Sequence, residues 1–449
     1  MSAPAGDVAD RLERLAAHAP AGGVDPDRIW SRGRRRQGRR WAVAVACAVV
    51  LAGVGALAAT PLARLVAPPV ADRPGSAWVL PDVVRQPGGW APAFGRVPGP
   101  LSAIGVGPRS GWLSSHTALW GVTAASGESR WLDLPVAQGQ ADQAALSADG
   151  TQLAYWASLG STAVRTDDQP PVPTELRLLD LVTGEEQRWA PANDHGLMAI
   201  GLAWAGTSLW FEAGVFRDAD QNSAQPHLLT WNPGGEPEAV PDPPAGRLDL
   251  TTVTQDSAGF LAVGGSAARR GWRVDGAGHA SRLVLDTDGL VSTPVLGPAA
   301  LQVAGIAQGR REQTYGVGLP LLVGDVVDGR AQMRRVRPIS TSQVVGWRSP
   351  TRLAVVHPST GARTSDVQVA SEIWIVDLSD LDRPGFAPWL SVEAPSIPQF
   401  AAGALSAEVV PAPDAPFAPD PRLVGAGGTV LLVFCISLWR DLRRRRGHP

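Results

Sequence analysis

The stretch ALSADGTQLAYWA (Ala145 to Ala157), followed after a polar loop by TELRLLDLVTGEEQRWA (Thr174 to Ala190), decides the fold. Each half is an apolar run, a tight turn and a second apolar run. Asp149-Gly150 turns the first and Thr183-Gly184 the second. Glycine and aspartate tolerate the positive φ that a tight hairpin turn needs, so the pattern predicts two β-hairpins. A four-strand unit of this kind cannot bury its own two faces, so a chain with several copies must stack them, most simply as blades of a β-propeller.

The copies are present. Second-hairpin analogues run over Leu119 to Leu134, Leu176 to Ala190, Leu228 to Val240, Leu283 to Leu296, Leu321 to Val336 and Ile373 to Leu390. Their turn residues are Gly127, Gly184, Gly234, Gly289, Gly329 and Asp380, which sets a repeat of about fifty residues. First-hairpin analogues precede several of them at Gly201 to Ala213, Thr251 to Gly265 and Val344 to Val356. The expected fold class is all-β, a propeller of about six four-stranded blades over 77–390, with five or seven as alternatives. The patterns near residues 100 and 305 are the weakest.

Composition narrows the classes. The chain has 449 residues, 44% of them hydrophobic, and a formal charge of −2, so it can bury a sizeable core and carries no global nucleic-acid signature. Its basic residues are all arginine. The two cysteines, Cys47 and Cys435, lie near opposite ends in apolar segments, which excludes disulfides and thiolate metal sites between them.

The ends read as membrane segments. Residues 1–40 form an arm with a short amphipathic helix candidate, Asp7 to Ala19, and an arginine-rich run, Arg32 to Arg40. Trp41 to Ala59 follows with nineteen uncharged residues, ~28 Å as a helix and enough to span a bilayer; the span is drawn at 41–63. A cleaved leader is the rival, since Ala56-Leu57-Ala58 resembles a cleavage site, but a forty-residue lead-in argues against it. Leu423 to Trp439 is a second uncharged run, ~26 Å long, within a span drawn at 422–439 and followed by the basic tail 440–449. Residues 64–76 and 391–421 read as tethers, the second with seven prolines. Arginine clusters outside both apolar runs place both termini in the cytoplasm and the centre outside.

The repeats also resemble a known family. Leu146-Ser147-Ala148-Asp149-Gly150 with Leu153-Ala154-Tyr155, Trp204-Ala205-Gly206 with Leu209-Trp210, and Trp347-Arg348-Ser349-Pro350 with Leu353-Ala354-Val355 are similar to the repeat signature of TolB-like and WD-repeat-like bacterial propellers. That resemblance implies a propeller fold and a tendency to bind, with no particular ligand. The His/Asp network and terminal Trp-Asp pair of eukaryotic WD repeats are absent. The N-terminal arm, with LAAHAP and VDPDRIW before its arginines, is similar to membrane proteins of high-GC bacteria found with extracytoplasmic-function sigma factors.

Candidate chemistry is sparse. Asp218-Ala219-Asp220-Gln221-Asn222 has the alternate spacing of a calcium loop, but Ser223 replaces the glycine and Leu229 the bidentate glutamate, so it reads as a solvated turn. Asp275-Gly276, Asp288-Gly289 and Asp328-Gly329 read as turn chemistry. No HExxH, G-x-S-x-G or phosphate-binding loop occurs, and no cofactor or metal is expected. The tryptophans, Trp112 among them, fall in strand patterns and read as packing between blades. The longest connections, 158–174, 214–226 and 357–371, carry Arg165, Asp167, Asp168, Arg217, Asp218, Asp220, Arg363 and Asp366, a mixed-charge rim suited to a polar partner.

The expected function is therefore a two-pass protein of the cell membrane whose propeller binds or senses an envelope protein or polysaccharide. The alternatives are an envelope hydrolase or lyase, and a transmembrane regulator whose residues 1–30 hold a sigma factor or other cytoplasmic protein. On that reading the bilayer is a partner and nucleic acid is not; the arginine run beside the first span serves topology.

Overall fold

The computed structural model describes residues 78–95, 98–137, 143–158, 172–240, 250, 255–256, 259–263, 267–308, 318–358, 371–416, 418, 420–422 and 434–440, together with 13, 14 and 17. Met1–Ala67 and Pro68–Pro449 are separate compact units. In the first, residues 13, 14 and 17 are helical, inside the amphipathic stretch, and Trp41 to Ala59 lies outside the described residues. Among the described residues no helix is long and apolar enough to cross a membrane. Residues 434–440, the end of the second apolar run and Arg440, are helical, with Phe434, Ile436, Leu438 and Trp439 exposed.

The second unit is built of strands, and β-branched and aromatic residues in period-two alternation explain why. Two short strands lead in, β1 (Val79–Pro81) and β2 (Val83–Arg85). Then come β3 (Leu101–Ser110), β4 (Ser115–Thr123) and β5 (Ser129–Trp131), and next the deciding stretch, as β6 (Ala145–Leu146), β7 (Gln152–Ala157), β8 (Glu175–Asp180) and β9 (Glu186–Trp189). A third group is β10 (Leu197–Ala205), β11 (Ser208–Val215), β12 (His227–Trp231) and β13 (Glu238–Ala239). A fourth is β14 (Gln255–Asp256), β15 (Gly259–Val263), β16 (Ala267–Ala268), β17 (Arg270–Asp275) and β18 (Ala280–Asp286). A fifth is β19 (Leu290–Leu296), β20 (Gln302–Gln308), β21 (Leu319–Val327), β22 (Arg330–Gln332) and β23 (Arg334–Thr341). The sixth is β24 (Gln343–Ser349), β25 (Arg352–His357), β26 (Ser371–Asp377) and β27 (Gly385–Glu393), after which β28 (Gln399–Phe400), a one-turn helix α1 (Ala402–Leu405) and β29 (Glu408–Val410) end the unit.

Among the described residues these strands pair as antiparallel meanders in the orders β28-β3-β4-β5, β6-β7-β8-β9, β10-β11-β12-β13, β14-β15-β17-β18, β19-β20-β21-β23 and β24-β25-β26-β27. The fourth and fifth are joined into one sheet, because β22 pairs antiparallel with β21 and parallel with β18, while β16 adds to β19 at the far edge. The fold is all-β and propeller-like: each meander packs face to face on the next. Strand β7 shows how. Leu153, Tyr155 and Ala157 point into a core shared with the first meander, while Ala154 and Trp156 point into one shared with the third. Strand β15 divides likewise, Phe260 and Ala262 toward the third meander and Leu261 and Val263 toward the fifth. The fifth and sixth share Ile306, Val323, Trp347 and Leu353, and the sixth meets the first through Val356, Ile373, Ile104 and Phe400. The apolar cores thus run from each meander to the next and back to the start.

Turn chemistry follows the sequence. Gly150 sits at φ +64, and a Cβ there would lie 2.2 Å from the Leu101 carbonyl oxygen, so glycine serves both the turn and the contact with the neighbouring meander. The Asp180 carboxylate accepts from the Val182 and Thr183 N–H groups, both at 2.8 Å, and Asp275 accepts from Ala277 and His279.

Two readings need correction. Leu283 to Leu296 is not a hairpin: β18 pairs with β17, β19 pairs with β20, and the two belong to different meanders. Gly289 does not take the left-handed backbone of the turn glycines; Gly278, at φ +83 between β17 and β18, occupies the turn equivalent to Gly184. The proline-rich 391–421 is not a free tether along its first half. β27 ends at Glu393, β28 adds to β3, and Phe400, Ala401, Ala404, Leu405 and Ala407 are all buried. The prolines stand on either side of this apolar insert, at 395 and 398 and from 411 onward, where they interrupt no ladder.

The insert makes a sharp prediction. Phe→Ala in a core costs about 3 to 5 kcal/mol, whereas a surface change stays within about 0.5 kcal/mol. Phe400→Ala should therefore lower unfolding stability by about 3 kcal/mol in denaturant titrations, and Trp112→Ala should leave it nearly unchanged. A neutral Phe400→Ala would return 391–421 to the status of a tether.

Candidate binding rim

In an antiparallel meander the connection between second and third strands and the connection to the next meander leave from the same end. The longest second-to-third-strand connections are 158–174 in the second meander, 216–226 in the third and 358–370 in the sixth, and the β3–β4 tip at 111–114 is the short one of the first. Three of the predicted rim residues, Arg217, Asp218 and Asp220, lie on the described 216–226 connection. Arg165, Asp167, Asp168, Arg363 and Asp366 lie outside the described residues.

The described connection is closed on itself. Asp218 Oδ1 accepts from the Asn222 N–H at 3.1 Å, and Oδ2 accepts from the Ser223 hydroxyl at 2.8 Å. Arg217 N–H donates to the Ser223 carbonyl, Gln221 turns the chain at φ +57, and Phe216 and Ala224 bridge at the base. The carboxylate oxygens at the head of the calcium-like spacing are thus engaged by their own loop. Asp220 is exposed and among the described residues its side chain has no hydrogen bond like those of Asp218, so Asp218 builds the loop and Asp220 is presented by it.

Neighbouring connections are tied to this loop. Phe216 N–H donates to the Gly196 carbonyl, Leu197 N–H donates to the Pro173 carbonyl, and Gln221 Nε2 reaches the His195 carbonyl at 3.3 Å. Asn193 holds the 190–196 segment by accepting from the Gly196 N–H and donating to the Pro191 carbonyl. The stem of the 158–174 connection, the 190–196 segment and the 216–226 loop therefore form one surface. His195 Nδ1 on that surface is buried without a hydrogen-bond partner among the described residues. The sequence placed His195 only among scattered histidines, because nothing along the chain signals that 195 and 218 meet.

The rest of the molecule contributes contrasts. Tyr155, fully buried, donates its hydroxyl to Glu186, and Arg177 is held between Glu175 at 2.6 Å and Glu186 at 2.7 Å. Burial, then the bond to Glu186, pushes the Tyr155 hydroxyl far up. With Glu175 also buried, this network ties β7, β8 and β9 together within the second meander and ends at the exposed Glu186. On the sixth meander His357, Trp374 and Phe386 stack across three strands, with centroids 4.4 and 5.5 Å apart, and Phe386 is half exposed. Trp112 corrects the packing reading: it is 67% exposed at the β3–β4 tip beside Leu113 at 99%, whereas Trp120, Trp131, Trp156, Trp204 and Trp231 are buried as expected. The signal available was SGWLSSH, an apolar pair inside a Gly/Ser turn instead of a strand.

No protein-family model and no curated protein sequence matches the chain. Solved structures do. They include hydrazine synthase of Kuenenia stuttgartiensis (15% identity, TM-score 0.33, covering 57% of this chain and 67% of that one). The structure of putative TolB from Agrobacterium tumefaciens matches at 15% identity and TM-score 0.31, covering 52% and 80%. Dihydro-heme d1 dehydrogenase NirN in complex with DHE matches at 13% and 0.35, covering 68% and 69%. With TM-scores of this size they carry no functional argument, and the architecture rests on the strand order.

The loop yields a titration test. The Ser223 hydroxyl, then the Asn222 N–H, hold the Asp218 carboxyl below its ordinary value. A carboxyl depressed in the folded state stabilises the loop above the ordinary carboxylate range and loses that contribution as pH falls through the depressed value. Carboxyl NMR shifts should show Ser223→Ala moving the Asp218 titration back up, and cleavage within 216–226 should rise on acidification. An unshifted titration in Ser223→Ala would remove the contact from the account.

Proposed function

We propose that this chain is a two-pass membrane protein with both ends cytoplasmic. Its six meanders are the blades of a closed extracytoplasmic propeller that binds a polar envelope partner through the rim. The observation that carries the binding reading is the preshaped surface of 190–196 and 216–226. Its loop is held by Asp218, its base is tied to two neighbouring segments, and it presents Arg217 and Asp220. A surface ordered before binding spends little further conformational entropy on the partner. Mixed charges suit a polar polymer or protein. The membrane reading is supported by the uncharged runs Trp41 to Ala59 and Leu423 to Trp439, each flanked by arginines.

Full-length protein in nanodiscs, assayed against envelope polysaccharides and peptides for binding and turnover together, tests this. Replacing 217–223 by Gly/Ser should weaken the best binder at least about tenfold, ~1.4 kcal/mol. The thermal midpoint should stay within a few degrees, since ~1 kcal/mol moves a domain this large by only ~2 °C or so. Undiminished affinity would put recognition elsewhere, and turnover would favour the enzyme alternative. A reporter fused at Pro449 should be cytoplasmic; a reporter active outside would overturn the second span.

A further inference from the structure

We infer that the exposed β3–β4 tip, Trp112 and Leu113, sits in the headgroup region of the bilayer and seats the ring on the membrane at the edge of its first meander. The inference rests on the membrane-anchored reading above and adds to it a contact made by the propeller itself. The tip is apolar and uncovered: Trp112 is 67% and Leu113 99% exposed, while most other large apolar side chains of the meanders are buried. Between Gly111 and Thr117 there is no acidic or arginine side chain whose desolvation would oppose insertion.

What covers this tip is decided by the chain that passes it. After β29 the chain runs along the outer edge of the closure, Ala412 N–H donating to Asp82 Oδ1 at 2.8 Å. It then arrives at Arg422, the last charged residue before Leu423 to Trp439. The Arg422 guanidinium stacks over the Trp90 ring at 5.3 Å and is fixed from the other side by Asp420, at 3.0 and 3.1 Å. Trp90 in turn meets Trp112 edge to face, with centroids 6.0 Å apart. Consecutive Cα atoms are ~3.8 Å apart, so the first residue of the apolar run emerges within a short step of this cluster. If that run spans, its first turn lies at the interface. Arg422, Trp90, Trp112 and Leu113 then stand at the same depth, in a headgroup layer ~5 to 8 Å thick. Tryptophan rings and arginine guanidinium groups are the side chains that this layer accommodates best. Because the cluster gathers at the β3–β4 tip, where Trp90 of the lead-in and Asp420 and Arg422 of the C-terminal stretch meet Trp112, the ring is seated by one edge, and the 216–226 loop two meanders further round stays open to a partner.

The test places single cysteines in the full-length chain with Cys47→Ser and Cys435→Ser, labels them with an environment-sensitive fluorophore, and reconstitutes the protein into phosphatidylethanolamine/phosphatidylglycerol vesicles. Leu113→Cys reports the tip; Glu236→Cys, exposed on the β12–β13 turn at the opposite end of its meander, is the reference. Flotation after an alkaline wash reads anchoring separately. The expected result is that lipids carrying a headgroup-depth spin label quench most of the Leu113→Cys emission and aqueous iodide little of it, with the reverse for Glu236→Cys. An anchored protein whose Leu113→Cys probe is open to iodide and untouched by lipid quencher overturns the contact and leaves anchoring standing. A probe shielded from both quenchers assigns the tip to a protein neighbour and also overturns it. Loss of the protein from floated vesicles overturns the anchored reading and this inference together.

Discussion

Strands apolar on both faces impose the constraint from which the rest of this structure follows. A strand such as β7, buried on one side by Leu153 and Tyr155 and on the other by Trp156, has no solvent face, so every meander needs two neighbours. A linear stack would leave two end faces bare, and closure removes them. The closing pieces are small. Gln399 and Phe400 pair with Ile104 and Ala103, and the Gln399 side chain accepts from the Leu146 N–H at 3.1 Å, so one residue ties the innermost strands of two meanders. On the outer edge β2 runs parallel to β27, with Arg85 paired to Glu393. Residues from both ends of the unit thus lock the same joint, one at the inner edge and one at the outer.

Tryptophan supplies much of the material between meanders. A buried ring removes ~200 Å² from water, about 5 kcal/mol at ~25 cal/mol per Å², before the cost of ordering it. Two indole N–H groups also set register across joints, whereas those of Trp120, Trp156, Trp210, Trp347 and Trp389 are buried without a partner among the described residues. Trp204 Nε1 donates to the Ala145 carbonyl of the preceding meander at 3.0 Å, and Trp131 Nε1 donates to the Gly88 carbonyl of the lead-in at 2.9 Å. These bonds have a direction, so a meander cannot slide on its neighbour without leaving a buried donor unpaired.

The connections at the ends of the strands are free of these demands, which is why polar chemistry gathers there. In the 216–226 loop, hydrogen bonds from Asn222 and Ser223 to Asp218 replace the packing that a loop lacks. The β3–β4 tip differs, since its apolar residues are exposed among the described residues, with Trp90 edge-on at the side of Trp112. Polar loops and one apolar tip thus give the meanders two kinds of surface.

Local pattern by itself determined much of this. The hairpins of 145–190, the positive-φ glycines at 127, 150, 184 and 234, and the repeat that makes strands stack are all written in residues a few positions apart, because turn geometry and side-chain alternation are local physics. The tertiary structure decided what depends on distant partners. The first meander looked faint in sequence because its inner strand comes from Gln399–Phe400, almost three hundred residues away in the chain. Gly289 looked like a turn because Asp-Gly usually is one, but β18 pairs with β17 and β19 with β20, so the chain crosses to the next meander there instead. His195 beside Asp218, and Arg422 over Trp90 beside Trp112, are likewise meetings that no spacing announces. Alternation says that a face must be covered; only the closed fold says which residues cover it and which are left outside.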